Sequence, residues 1–351
     1  MTRNRFPGRE ASRRLTVWLF GSLGVALGVV SAGWADGSPP AAEALAKVGL
    51  PASDVARVLS GQFAEANLEP SSNRELSIAL AFLVKDSPAA LVAELDHALA
   101  ITDDPDTLSF GEIDAAHPER ALAKVSLTEH AARRWLDASA GEGINLSTPE
   151  LEKFAALRER LKGESAVREP VTAALREILL GRYRSYRDKG LAGIAPYERG
   201  DGAALDAAGE LRLASIAARS IGLFAPSFYE LLLEYPKSKP AHFEESFFWI
   251  HYHAHGEPAF MLTHRLSIPS APESGSVQRQ FYVSRSYNVE QSLSALIPVH
   301  EGTLVVYTNR TSTDQVTGFG GSARRSIGRR LLARQLEQLY ERVRAEAAKR
   351  P

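Results

Sequence analysis

The sequence predicts an α+β fold in which an antiparallel sheet packs on a long C-terminal helix, with a large helical block either inserted into the sheet domain or standing as a separate unit. Three observations carry this. Residues 73–84 alternate at strand period, with Leu76, Ile78, Leu80, Phe82 and Val84 on one side. Residues 128–236 have helical period almost throughout. Residues 243–311 are rich in β-branched and aromatic residues broken by turn signals, and a one-sided apolar seam of Leu332, Leu336, Leu339 and Val343 follows them.

Taken in order, the first 35 residues read as an address. Arg3, Arg5, Arg9, Arg13 and Arg14 precede an uncharged stretch from Leu15 to Ala35, and Gly33-Trp34-Ala35 places small residues at the −3 and −1 positions of a cleavage site. That is the layout of a secretory signal peptide, so export to the periplasm or the medium is expected, with cleavage near Ala35. A membrane anchor is the competing reading, but Gly21, Gly24, Gly28, Ser22 and Ser31 dilute the stretch. Residues 36–42 form a Gly/Pro/Ser/Ala linker, and 43–127 form the N-terminal α/β part of the sheet domain. There Ser87 and Pro88 open a helix from Pro88 to Ala100, and Thr107–Ile113 and Ala121–Leu127 are two shorter strand candidates.

The helical block covers 128–240. Thr128 caps Glu129–Ala138, Ser147 or Thr148 opens Pro149–Leu161, and Pro170 opens a long helix that Gly190 ends near Lys189. A Gly-rich loop, Leu191–Ala204, precedes helices over Leu205–Ser220 and Pro226–Glu234. Residues 241–351 supply five strands, Phe243–Ala254, Ala259–Ile268, Val277–Tyr287, Gln291–Ile297 and Thr303–Thr311, and a final helix from Ala323 to about Ala348. This order of strand, Ser-Pro-capped helix, further strands and a closing helix resembles the helix-grip layout of START-like and polyketide-cyclase-like proteins. The resemblance rests on Arg74–Leu99 and Phe243–Ala348 and includes no diagnostic motif. It implies a curved sheet wrapped around the C-terminal helix with an apolar cavity between them, and the helical block departs from it.

Composition narrows the function classes. The chain is 351 residues long, 44% hydrophobic and 24% charged, with a net charge of −1 and no cysteine. Disulfides, thiolate metal sites and catalytic thiols are thereby excluded. The leader carries five arginines and one glutamate, so the remainder is near −5. Such a balance argues against nucleic acid as a partner, because phosphate neutralisation needs a basic surface. No nucleophile elbow and no nucleotide fingerprint in a strand–helix context is present. No cofactor follows from the sequence, and whether the chain is an enzyme stays open.

Three constellations could carry chemistry. His251, His253 and His255 share one side of a strand, and with Glu257 they give a candidate metal site of His251, His253 and Glu257. The spacing matches a cupin metal motif whose flanking glycines are missing here, and a polar outward face explains it as well. Tyr282, Arg285, Tyr287, Tyr307, Asn309 and Arg310 combine rings with polar heads, as a pocket for an amphipathic ligand would. Parity places Tyr282 opposite Arg285 and Tyr287, and Arg310 opposite Tyr307 and Asn309. Arg324, Arg325 and Arg329 crowd the start of the final helix, where the helix dipole disfavours cations, so an anionic membrane surface is a candidate partner. The leading expectation is an exported soluble protein that binds an apolar or amphipathic small molecule, such as a lipid, between sheet and C-terminal helix. A metal-dependent enzyme and a non-catalytic cell-envelope interaction protein are the alternatives.

Overall fold

A computed structural model describes residues 40–47, 50–89, 91, 107–240, 242–254, 257–268, 274–318, 320–321, 323–330 and 332–334. The leader, most of the Pro88–Ala100 helix, His255, and Leu336, Leu339 and Val343 lie outside the described residues. No helix among the described residues is long and apolar enough to cross a membrane.

Helices α1 (Ala41–Lys47) and α2 (Ala52–Leu59) lead to strands β1 (Ala64–Asn67), β2 (Glu75–Val84) and β3 (Thr107–Glu112). The helical block then supplies α3 (Pro118–Leu122), α4 (Glu129–Leu136), α5 (Thr148–Arg160) and α6 (Arg168–Lys189). A small hairpin of β4 (Tyr197–Gly200) and β5 (Ala203–Leu205) separates these from α7 (Ala207–Ala217) and α8 (Pro226–Glu234). Strands β6 (Glu244–Ala254), β7 (Glu257–Ile268), β8 (Gly275–Val283), β9 (Val289–Val299) and β10 (Gly302–Ser312) follow, and residues 323–330 and 332–334 form helix α9.

The boundaries have local causes. Thr128 Oγ1 accepts the Ala131 N–H at 3.2 Å to cap α4. At the start of α5 the Glu150 carboxylate reaches back to accept the Ser147 N–H at 2.7 Å. Helix α6 stops at Gly190, whose φ is +58° and where a Cβ would stand 2.1 Å from the Tyr235 carbonyl oxygen. Residues 121–127 are not a strand. Pro118 at the first helical position starts α3 instead, and its short apolar run ends in turns. The expected loop 191–204 contains the β4–β5 hairpin, turned by Asp201 and Gly202 with φ of +52° and +74°, the conformation Asp-Gly favours.

Eight strands form one antiparallel sheet in the order β1-β2-β10-β9-β8-β7-β6-β3. Strands β6 to β10 make an uninterrupted meander, and β10 then pairs with β2 far back in the sequence. Both faces of the sheet are buried. On the first, Phe247, Trp249, Phe260, Leu262, Phe281 and Leu293 share one core cluster with Trp135, Phe154, Leu179 and Tyr183 of the helical block. Helices α1 and α2 cover the β1–β2 end of that same face through Ala44, Leu45 and Val58 against Ala64, Ala81 and Leu304. On the second face Leu76, Ile78, Leu80 and Phe82 cluster with Leu332 of α9.

A polar joint also ties the helical block to the sheet. Buried Asn145 donates through Nδ2 to the Val283 and Tyr287 carbonyls at 2.8 and 2.9 Å, and its own N–H reaches Ser284 O at 2.7 Å. Asn145→Ala removes both side-chain donors and is expected to cost about 1–3 kcal/mol. Urea unfolding would show it, and a midpoint equal to that of the native chain would dismiss the joint as a stabilising feature.

Candidate functional site

The unusual part of the molecule is the middle of the second face. Antiparallel register places directly opposed residues on one face, so cross-strand rows can be read from the pairing. The first row over β7, β8, β9 and β10 is Thr263, Gln280, Glu290 and Thr311. The second is Arg265, Gln278, Ser292 and Asn309, and the third is Ser267, Ser276, Ser294 and Tyr307. All twelve side chains are buried. Apolar groups frame them: Leu76, Ile78 and Leu80 continue the rows onto β2, and Ile250, Met261, Val283 and Tyr287 cluster beyond the first row.

Hydrogen bonding within this block is incomplete. Thr263 Oγ1, Gln278 Nε2, Gln280 Nε2 and Asn309 Nδ2 are buried and have no hydrogen-bond partner among the described residues. Each such group costs about 1–3 kcal/mol if left unsatisfied, and native interiors hold few of them. Four of these groups lie on one face of the sheet. The oxygens, by contrast, are engaged. Tyr287 donates its hydroxyl to Gln280 Oε1, Arg265 Nη2 lies 3.5 Å from Gln278 Oε1, and Thr311 Oγ1 lies 2.9 Å from Asn309 Oδ1.

Glu290 is the carboxyl of the block. Burial pushes its pKa up to about 8, against the pull of Thr311 and Asn309 toward the charged form. Thr311 Oγ1 sits 3.1 Å from Glu290 Oε2 as well as 2.9 Å from Asn309 Oδ1, and one hydroxyl proton cannot serve two acceptors. Two arrangements close the chain: a protonated Glu290 donates to Thr311, which donates to Asn309, or the Asn309 amide, turned over, donates to Thr311, which donates to an ionised Glu290; burial favours the first. Burial, with the neighbouring Glu290 carboxyl, likewise raises the pKa of Tyr307.

The residues singled out in the sequence fall in several places. Tyr287, Tyr307 and Asn309 are at the polar block. Tyr282 is on the first face, because a bulge between Leu262↔Tyr282 and Thr263↔Gln280 lets Phe281 and Tyr282 both face the helices. Its ring lies 4.2 Å from the Arg182 guanidinium. Arg310 is also on the first face, ion-paired with Glu75. Strand β8 stops at Val283, so Arg285 lies in the following turn, where its carbonyl accepts from Tyr252 at 3.2 Å.

His251 packs on the Phe260 ring at 4.4 Å on the first face, and burial and then the charge of His253 lower its pKa to about 4. His253 is exposed, and the side chain of Glu257 lies outside the described residues. Among the described residues no three His, Asp or Glu side chains are grouped to hold a metal ion. Arg325 and Arg329 donate to the Asn73 and Leu68 carbonyls at 2.6 and 3.3 Å, and Arg324 to the Thr317 carbonyl. With Glu65, Glu69 and Arg330 the first two line an open cleft of about 460 Å³.

Thr263, Arg265, Gln278, Gln280, Glu290 and Ser292 are the site residues that sequence reasoning did not single out. Their signal was present: polar residues at every second position in four consecutive strands. It reads as a solvated face unless both faces of the sheet are assigned a covering layer. Comparison of the chain with protein-family models, with curated proteins and with solved structures gives no match.

Proposed function

We propose that the chain is an exported soluble protein that binds an apolar or amphipathic small molecule, with lipids among the candidates, between the second face of the sheet and the C-terminal helix in a helix-grip-like arrangement. Export rests on the leader-like residues 1–35. Binding rests on one observation: a buried polar block with four unpartnered groups, framed by aliphatic and aromatic side chains. Ligand pockets have this character, mostly apolar walls with a few placed polar groups that fix orientation. Thr263, Gln278, Gln280, Glu290, Asn309, Tyr287 and Tyr307 would orient the polar part, and Leu76, Leu80 and Met261 would cover the apolar part.

Native mass spectrometry of the purified chain, followed by organic extraction, tests the reading. The expected spectrum shows a mass above that of the polypeptide, which denaturation returns to the polypeptide value while the extract holds the difference. A chain that carries no small molecule, and takes up none from a total lipid extract, overturns the proposal.

A further inference from the structure

We infer that the cleft between α9 and the β1 edge of the sheet is a binding site for one compact phosphate group, of the kind a phosphate monoester carries. The site is separate from the polar block and does not rest on the binding reading above. Its walls come from two parts of the chain. Helix α9 packs Leu332 among Leu76, Ile78, Leu80 and Phe82 on the second face. Glu65 of β1 pairs with Leu80 of β2, so it stands on that same face at the sheet edge. Arg325, Ser326, Arg329 and Arg330 of α9 thus lie across from Glu65 and Glu69, around an open space of about 460 Å³. The wall beyond β1 is fixed by arginines. Arg329 Nη2 donates to the Leu68 carbonyl at 3.3 Å, Arg310 Nη1 to the Glu69 carbonyl at 3.3 Å, and Arg325 Nη2 to the Asn73 carbonyl at 2.6 Å.

The positive charge of α9 lacks a counter-ion. Arg324, Arg325, Arg329 and Arg330 stand in the first turns, where the helix dipole is already positive, and none of them forms an ion pair among the described residues. Arg325 and Arg329 are half-buried, and their Nε atoms are enclosed without an acceptor. With Nη2 on a carbonyl, Nη1 is the donor that each keeps for a ligand. Arg330 is exposed at the cleft, and Ser326 adds a hydroxyl. Half-buried cations without partners are costly, and an anion from outside offsets that cost. A phosphate monoester suits the set better than a carboxylate, because it brings close to two negative charges and three oxygens to the guanidinium forks. Glu65 and Glu69 restrict the choice further. Three arginines against two glutamates leave one cation in excess, enough to favour a single compact anion. An extended polyanion such as a nucleic acid would run into both carboxylates.

Titration calorimetry at pH 7 and low salt, with the full chain and with glycerol 3-phosphate and acetate as probes, tests the site. Glycerol 3-phosphate is expected to bind with a Kd of about 0.1 mM or tighter, and about tenfold ahead of acetate. Arg330→Gln removes an exposed cation that makes no hydrogen bond or ion pair among the described residues, so the fold is spared, and affinity should fall about fivefold. Glu69→Gln removes a carboxylate from the cleft and should raise affinity about twofold. Failure of glycerol 3-phosphate to bind, or an affinity that neither variant changes, overturns the site. Co-sedimentation with phosphatidylcholine vesicles, with and without phosphatidic acid, then separates the two sources of such a phosphate. Retention on the phosphatidic acid vesicles that glycerol 3-phosphate releases assigns a lipid headgroup. No retention, or retention that glycerol 3-phosphate does not release, assigns a soluble phosphate ester. Retention on vesicles without any binding of glycerol 3-phosphate would mean diffuse surface attraction, and the cleft would be discarded.

Discussion

Arg182→Met is expected to destabilise the folded chain by about 3–5 kcal/mol, the largest single-residue effect outside the polar block. Arg182 is a buried cation on α6 whose Nε and Nη2 grip the Glu150 carboxylate at 2.7 and 2.5 Å. Burial works to lower its pKa, and the Glu150 charge with two tyrosines outweighs it. The guanidinium also lies 4.2 Å from the Tyr282 ring centroid and 5.3 Å from that of Tyr197. Removing it leaves Glu150, itself only 14% exposed, as an uncompensated carboxylate beside two tyrosine rings. Arg182→Lys should recover little, because an ammonium cannot reproduce the two-pronged contact or stack on the ring. The double variant with Glu150→Gln should lie closer to the native chain than Arg182→Met alone. Urea unfolding at pH 7 of the native chain, Arg182→Met, Glu150→Gln and the double variant measures the coupling, and a loss below about 1 kcal/mol for Arg182→Met would sink the argument.

Strand and helix periodicities made most of the fold legible. The five strands of the meander, the helices opened by Thr128, Ser147 and Pro226, and the stop at Gly190 are each written in a few neighbouring residues, where local chemistry decides the outcome. What the sequence hid depends on partners far away in the chain. Strand β1 is four residues long and exists because β2 pairs with it, and α3 shows how a short apolar run cannot distinguish helix from strand. The site shows the same limit more sharply. Ser292 and Ser294 alternate with Leu293, Ala295 and Ile297, which reads as one wet and one dry face. Both faces are covered, so the polar alternation is internal. A polar side chain looks the same in sequence whether it meets solvent or the protein interior. Tyr282 adds a third case: one bulged residue, Phe281, moved it to the opposite face from Gln280.

Glu290 sets the second large effect, which appears as a dependence of stability on pH. A carboxyl whose folded pKa is raised to about 8 from an ordinary value of 4.5 holds its proton in the folded state after the unfolded chain has released it. Below the unfolded pKa both states are protonated and the group is neutral in its effect. Between about 4.5 and 8 the folded state binds more protons than the unfolded one, so stability falls as pH rises, by up to about 1.4 kcal/mol per pH unit, and levels off above 8. Buried His264 and His251, both lowered to about 4, act in the opposite sense, since their folded forms resist protonation and cost stability as pH falls below 6.5. The native chain alone would therefore show a blurred optimum. The difference between Glu290→Gln and the native chain isolates the carboxyl, because the histidines contribute equally to both. Glutamine keeps the shape, remains neutral at every pH, and can donate through its amide to the Thr311 hydroxyl oxygen. Unfolding free energies should coincide within about 1 kcal/mol near pH 4 and diverge in favour of Glu290→Gln by several kcal/mol at pH 8. Parallel curves from pH 4 to pH 8 would mean that Glu290 ionises in the folded state as freely as in the unfolded chain, and the neutral-acid geometry at Thr311 would have to be abandoned.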